Sequence, residues 1–278
     1  MKKFEIPYNF NFDKNYFDNL EANKDLWGYI DTIYLPCFVD TKIDNIQHNS
    51  REEFNHSPKT FDEYKWHIDK LKTYNIPITL LIQKDATEDM VEYHINNFGI
   101  YSFIINNDEL AKKLKEKYGD KIKLTLSITR IITQEEIETK DLSMYDEICL
   151  FFYFTRHLNV IKELPKKYSY IALVNSRCLY DCSVVSKHWF DIKKLNQTCI
   201  RQLYRHGLLN MKISAYVRPQ DLFVFDDYIS TYKLQGREYT SDRIFKEFKA
   251  YATRQPLDIS KCDNFNFENI EENYNISK

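Results

Sequence analysis

Cys178 and Cys182 stand four residues apart in the stretch NSRCLYDCSVVSKHW (175–189), and Cys199 follows seventeen residues after the second. Soft thiolates grouped in this way could hold a zinc ion or close on an iron–sulfur cluster, and each could equally be a small buried apolar side chain. If the segment is helical, a four-residue spacing turns both sulfurs to one face. The spacing lacks the two tight pairs of a zinc ribbon. Cys37 closes an apolar run and reads either as a further ligand or as core. Cys149 lies inside EICLFFYF and reads as core, Cys262 in the polar tail as incidental, and His188 as a ligand or a structural hydrogen-bonder.

Such ligands need a scaffold. Short β-branched and aromatic runs alternate with amphipathic charged segments along the chain. Strands are read at 28–36, 77–83, 100–106, 121–129, 147–154, 168–175, 211–217 and 231–236. Helices are read at 63–74, with Trp66, Ile68, Leu71 and Tyr74 roughly on one side, at 87–98 with Thr87 as N-cap, and at 108–119 with Gly119 as C-cap. Others fall near 134–140, 157–163, 219–229 and 241–253, and the cysteine segment is expected to contain one more. Near-continuous apolar strands alternating with helices predict a parallel sheet, and eight such units predict a single (β/α)8 TIM-like barrel over residues 1–255. An irregular acidic tail, 256–278, follows, loosely packed, with Phe265 and Phe267 as candidate anchors. An open doubly wound sheet is the alternative, but no Gly-x-Gly-x-x-Gly follows any strand, which weighs against a dinucleotide site.

A barrel carries its active site at the C-terminal ends of its strands. That rule selects Cys37, Gln83, Lys84, Asn106, Asn107, Thr129, Arg130, Tyr153, Thr155, Arg156, Asn175, Arg177, Cys178, Arg218 and Arg237. Arginine and asparagine dominate, and they suit an anionic small molecule. The bland readings are a helix-start ion pair for Arg218, a rim salt bridge for Arg237 and a turn cap for Asn175.

The 278 residues, 43% of them hydrophobic, are enough to bury a core. A formal charge of −2 provides no basic excess for nucleic acid. No apolar run approaches the roughly 18 residues of a membrane span. The start, MKKFEIPYNFNF, has two lysines but no apolar signal core, so a cytoplasmic protein with reduced cysteines is expected.

VNSRCLYDCSVVSKHW resembles the core signature of the collagenase-like peptidase family, U32. Asn175, Cys178, Cys182 and His188 fall on its pattern, and Cys199 fits its next cysteine. Ser183 replaces the usual proline. Downstream, YVRPQDL (216–222) resembles the family's Arg-Pro-Glu-Asp-Leu segment and YKLQGRE (232–238) its Lys-Ile-x-Gly-Arg motif. The resemblance implies a [4Fe–4S] cluster on Cys178, Cys182 and Cys199. In one subgroup a cysteine at the end of the first strand joins it, a place Cys37 would take. It further implies oxygen-independent hydroxylation of a small molecule or an RNA base, with prephenate as oxygen donor in the ubiquinone-synthesis relatives, which work as heterodimers of related barrel subunits. In that reading Arg218 and Arg237 hold carboxylates and Asn175 belongs to the site.

Two other classes stand beside it. A peptidase needs an activated nucleophile or a catalytic metal, and neither His-Glu-x-x-His nor Gly-x-Ser-x-Gly occurs. A non-catalytic partner subunit binding a cluster or zinc is the third.

Overall fold

The charged N-terminal run KFEIP opens the sheet, as strand β1 (Lys3–Pro7). The structure, a computed structural model, describes residues 1–8, 10, 15–37, 58, 60–82, 87–176, 178–182, 214–236, 239–257 and 270–275. After β1 come β2 (Ile30–Pro36), β3 (Ile78–Leu81), β4 (Ser102–Ile105), β5 (Lys123–Leu126), β6 (Glu147–Leu150), β7 (Ser169–Leu173) and β8 (Thr231–Lys233). They pair in chain order, all parallel, and β8 closes on β1. The chain is therefore the closed (β/α)8 barrel expected from the alternation.

The strands are not all the expected ones. β1 escapes a pattern reading because it is short and its alternation is inverted. Phe4 packs outward on Tyr232, Phe248 and Tyr251, while Glu5 is buried. The described part of the expected strand 211–217, residues 214–217, is not a barrel strand: the slot between β7 and β1 belongs to Thr231–Lys233. It instead turns back along the cysteine segment, with an antiparallel bridge between Leu179 and Ser214, and Val217 donates to the Val174 carbonyl at 2.8 Å. Residues 219–229 form a 3-10 turn over Pro219–Phe225, not an α-helix.

Helices α1 (Tyr16–Ala22), α2 (Phe61–Lys72), α3 (Glu88–Phe98), α4 (Asp108–Tyr118), α5 (Gln134–Thr139), α6 (Leu158–Glu163) and α7 (Ser241–Thr253) surround the sheet. On α2 the buried face is Tyr64, His67, Ile68 and Leu71, whereas Trp66 is 56% exposed. Gly119 ends α4 at φ +55, a left-handed value that suits glycine.

Parallel neighbours in register face the same side of a sheet, so the pairings define the lumen. A TIM-barrel lumen is usually filled with branched aliphatics. In this barrel Thr32, Thr79 and Ser102 form a hydrogen-bonded row at 2.8 and 2.9 Å. Lys123 pairs with Glu147 at 2.9 Å and with Asp31 at 3.5 Å, and Lys233 pairs with Glu5.

The loose packing expected of the tail does not extend to its described part. A 3-10 turn, Ile270–Tyr274, buries Tyr274 completely beside Phe225, with ring centroids 5.2 Å apart. Phe265 and Phe267 lie outside the described residues.

Candidate functional site at the barrel mouth

Cys178 and Cys182 follow β7, at the C-terminal mouth. They are not joined by a helix. Ala215 donates its amide to the Cys178 carbonyl at 2.7 Å and Leu179 bridges Ser214, which holds this part extended, and a turn at 180–181 then leads to Cys182. The single helical face expected of the pair is thus replaced by an extended segment and a turn. Both cysteines are half-buried, and neither is in a disulfide. Cys199, His188, Arg177 and Arg237 lie outside the described residues, as do Gln83 and Lys84.

The strip that pins Cys178 is itself clamped. Arg156, fully buried, donates through Nε to the Ser214 carbonyl at 2.6 Å and through a terminal nitrogen to the Tyr216 carbonyl at 2.5 Å. Its guanidinium lies 4.8 Å from the Tyr274 ring centre. Burial pushes this guanidinium below its usual range, and Tyr274 and Asp221 oppose that shift. The Tyr274 hydroxyl donates to Asp221 at 2.6 Å.

Arg218 forks onto the same Asp221, at 2.5 and 2.8 Å, with both side chains buried. The geometry is that of the helix-start ion pair weighed from the sequence, set on a 3-10 turn. Asn175 is engaged by backbone. Its carbonyl oxygen accepts from the Gln235 amide at 2.8 Å and its amide donates to the Gln235 carbonyl at 2.9 Å, which joins the two segments two residues past the last β7–β8 register pair. The same amide reaches Glu247 of α7 at 2.7 Å. Gly236 follows at φ +139, where an added Cβ would come within 2.6 Å of the Tyr239 ring.

Cys37 ends β2 with its Sγ 3.2 Å from His94 Nε2. The sulfur is also 3.3 Å from His94 Nδ1, which donates to the Met90 carbonyl at 2.7 Å. Burial pushes the Cys37 thiol well up, so it stays protonated. Among the remaining mouth residues, Asn107 caps α4 through Leu110, Asn106 donates to Thr129, and Arg130 pairs with Asp108 at 2.9 Å.

A [4Fe–4S] cluster of the kind the resemblance implies is held by three or four thiolates converging on one point. Among the described residues no three His, Cys, Asp or Glu side chains are arranged to hold a metal, so Cys37, Cys178 and Cys182 do not themselves form such a set. The described donors supply a pair at the mouth and no complete ligand sphere.

Several site residues were not visible in the sequence reading. Tyr274 sits in the tail, Asp221 stands in YVRPQDL with no sign of its partner, and His94 gives no signal on an amphipathic helix. Lys233 lies within YKLQGRE, a motif whose resemblance points to Arg237.

The fold and mouth define a (β/α)8 barrel protein with a cysteine-bearing segment after its seventh strand. No protein-family model matches the chain. An uncharacterized protease of Methanocaldococcus jannaschii is 24% identical over 174 residues, 56% of this chain. The match covers 51% of that protein, so the chain spans about half the length of its curated relative. A solved U32 peptidase, Mk0906, superposes with a TM-score of 0.52 at 11% identity, over 85% of this chain and 93% of the other. A chain of the tryptophan synthase complex from Pyrococcus furiosus gives 0.47 at 12% identity, over 91% and 98%. The sequence match is to a protein named as a protease, and the superposition on the U32 peptidase shows a shared barrel fold. No described helix is long and apolar enough to cross a membrane.

Proposed function

We propose that the C-terminal mouth is the active site of an enzyme, or enzyme subunit, for oxygen-independent hydroxylation or a related modification, with an iron–sulfur cluster on Cys178, Cys182 and Cys199. The observation that carries this reading is the pair of half-buried cysteines outside any disulfide, set at the catalytic end of a barrel with Cys178 pinned by Ala215. A bound cluster would supply redox-active iron there. Cys37, which follows β2 beside His94, is the candidate fourth ligand in this reading.

The test is anaerobic preparation of the full chain with iron, sulfide and zinc analysis and a visible spectrum. Cys178→Ala, Cys182→Ala and Cys199→Ala should each remove iron and colour, and Cys149→Ala should not. Colourless protein carrying stoichiometric zinc would overturn the reading.

A peptidase is the second reading, favoured by the names of the two relatives. Its candidate nucleophile is Cys37, with His94 as base and the Met90 carbonyl orienting the ring. Hydrolysis of a fluorogenic peptide library that vanishes in both Cys37→Ser and His94→Gln would establish it.

A further inference from the structure

In the described part of YKLQGRE, residues 232–236, one charged side chain turns into the barrel. Tyr232 turns outward onto Phe4, and its hydroxyl donates to the Leu222 carbonyl at 3.0 Å. Gln235 meets Asn175, and Gly236 makes the turn. Lys233, the last residue of β8, points into the barrel with its side chain 7% exposed. There it pairs with Glu5, its register partner on β1, and its Nζ lies 3.8 Å from the centre of the Tyr34 ring. The Tyr34 hydroxyl is fixed at 2.5 Å on the carbonyl of Leu234, the next residue.

A buried ion pair is a poor way to stabilise a core, because desolvating both charges offsets most of their attraction. Its place inside the barrel, on the last residue of β8, makes it a functional candidate. The surrounding charge restricts the partner. The lumen holds two lysines, Lys233 and Lys123, against three carboxylates, Glu5, Glu147 and Asp31. Burial pushes the Glu147 carboxyl up against the hold of Lys123 on its charge, and Glu5 and Asp31 add to the rise. An anion would enter against this surplus. A neutral electrophile would not.

We propose that Lys233 is a carbonyl-capturing lysine, and that the barrel lumen binds a small neutral aldehyde or ketone as an iminium. Glu5 takes a proton from the ammonium group, and the freed amine adds to the carbonyl carbon. The carbonyl oxygen then leaves as water, carrying the second amine proton and the proton returned by Glu5. The net change is one ammonium and one carbonyl to one iminium and one water, with no oxidant or reductant. The positive charge is retained throughout, so the Glu5 carboxylate and the Tyr34 face stabilise the product as they do the ammonium.

The experiment is treatment of the full chain with hydroxyacetone, or separately with pyruvate, followed by sodium borohydride and peptide mapping. The expected result is a reduced adduct on Lys233 with hydroxyacetone, exceeding that on the exposed Lys65, and a strong loss of that adduct in Glu5→Gln. Lys233→Arg, checked for native circular dichroism, should lose the adduct while exposed lysines keep theirs. Adducts confined to exposed lysines in the wild-type chain would overturn the proposal, and so would labelling of Lys233 by pyruvate alone. No thiol is read in this measurement, so its failure leaves the cysteine reading standing, and the reverse holds.

Discussion

The hydroxyl of Tyr274, four residues from the chain's C-terminus, donates to the carboxylate of Asp221 at 2.6 Å, and both side chains are fully buried. Through Asp221 the tail reaches Arg218, and through its ring it reaches Arg156, whose carbonyl contacts hold the strip beside Cys178. The terminal segment is thus a strut for the mouth.

Removing the Tyr274 hydroxyl should therefore do two things. Tyr274→Phe leaves Asp221 with one partner fewer and is expected to cost about 1–3 kcal/mol in urea unfolding. It should also raise the rate at which Cys178 reacts with a thiol reagent. Unchanged Cys178 labelling in the destabilised variant would show that the tail does not reach the mouth.

Arg218 offers a sharper choice. As half of a buried ion pair, Arg218→Met strands the Asp221 charge and is expected to cost about 3–5 kcal/mol. Arg218→Met with Asp221→Leu should recover part of that loss. A substrate-binding arginine would instead lose activity with stability intact, and thermal melting distinguishes the two.

Thiol labelling of the folded chain should divide the described cysteines. Cys178 and Cys182 are half-buried and should react. Cys149 is buried, with its thiol pushed up to about 12 mainly by burial, and Cys37 is buried against His94. Both should label only on unfolding. Early modification of Cys37 would favour the peptidase reading.

Acid should weaken the fold through His67. Its Nδ1 shares a 2.6 Å hydrogen bond with the Tyr8 hydroxyl, and burial lowers its pKa below the ordinary 6.5. The unfolded chain then takes up the proton first as pH falls. Stability present above about 6.5 is lost progressively below it, down to the lower folded value. The melting temperature should show this dependence, and His67→Phe should flatten it.

Gly236→Ala should be costly. A side chain at φ +139 is strained by roughly 1–3 kcal/mol, and the Tyr239 ring must also move. Thermal melting checks the size of the effect.

The sequence by itself determined the barrel class and most of its elements. Periodicity is a local property, and runs such as PITLL and SDRIFKEFKAYAT carry it whatever surrounds them. It also singled out Asn175 and Arg218 and marked the cysteine pair as candidate chemistry. Local pattern failed where tertiary context inverts it. KFEIP buries its charged residue because Glu5 finds Lys233 across the closure of the sheet, while the strand-like stretch ending in SAYV lies outside the barrel because β8 fills the remaining slot. Only the tertiary structure decided the partners: Asp221 for Arg218, the Gln235 backbone for Asn175, His94 for Cys37 and Tyr274 for Asp221. Most of these pairs join residues that the chain keeps far apart, and a buried polar group's role is set by whichever partner compensates its lost water.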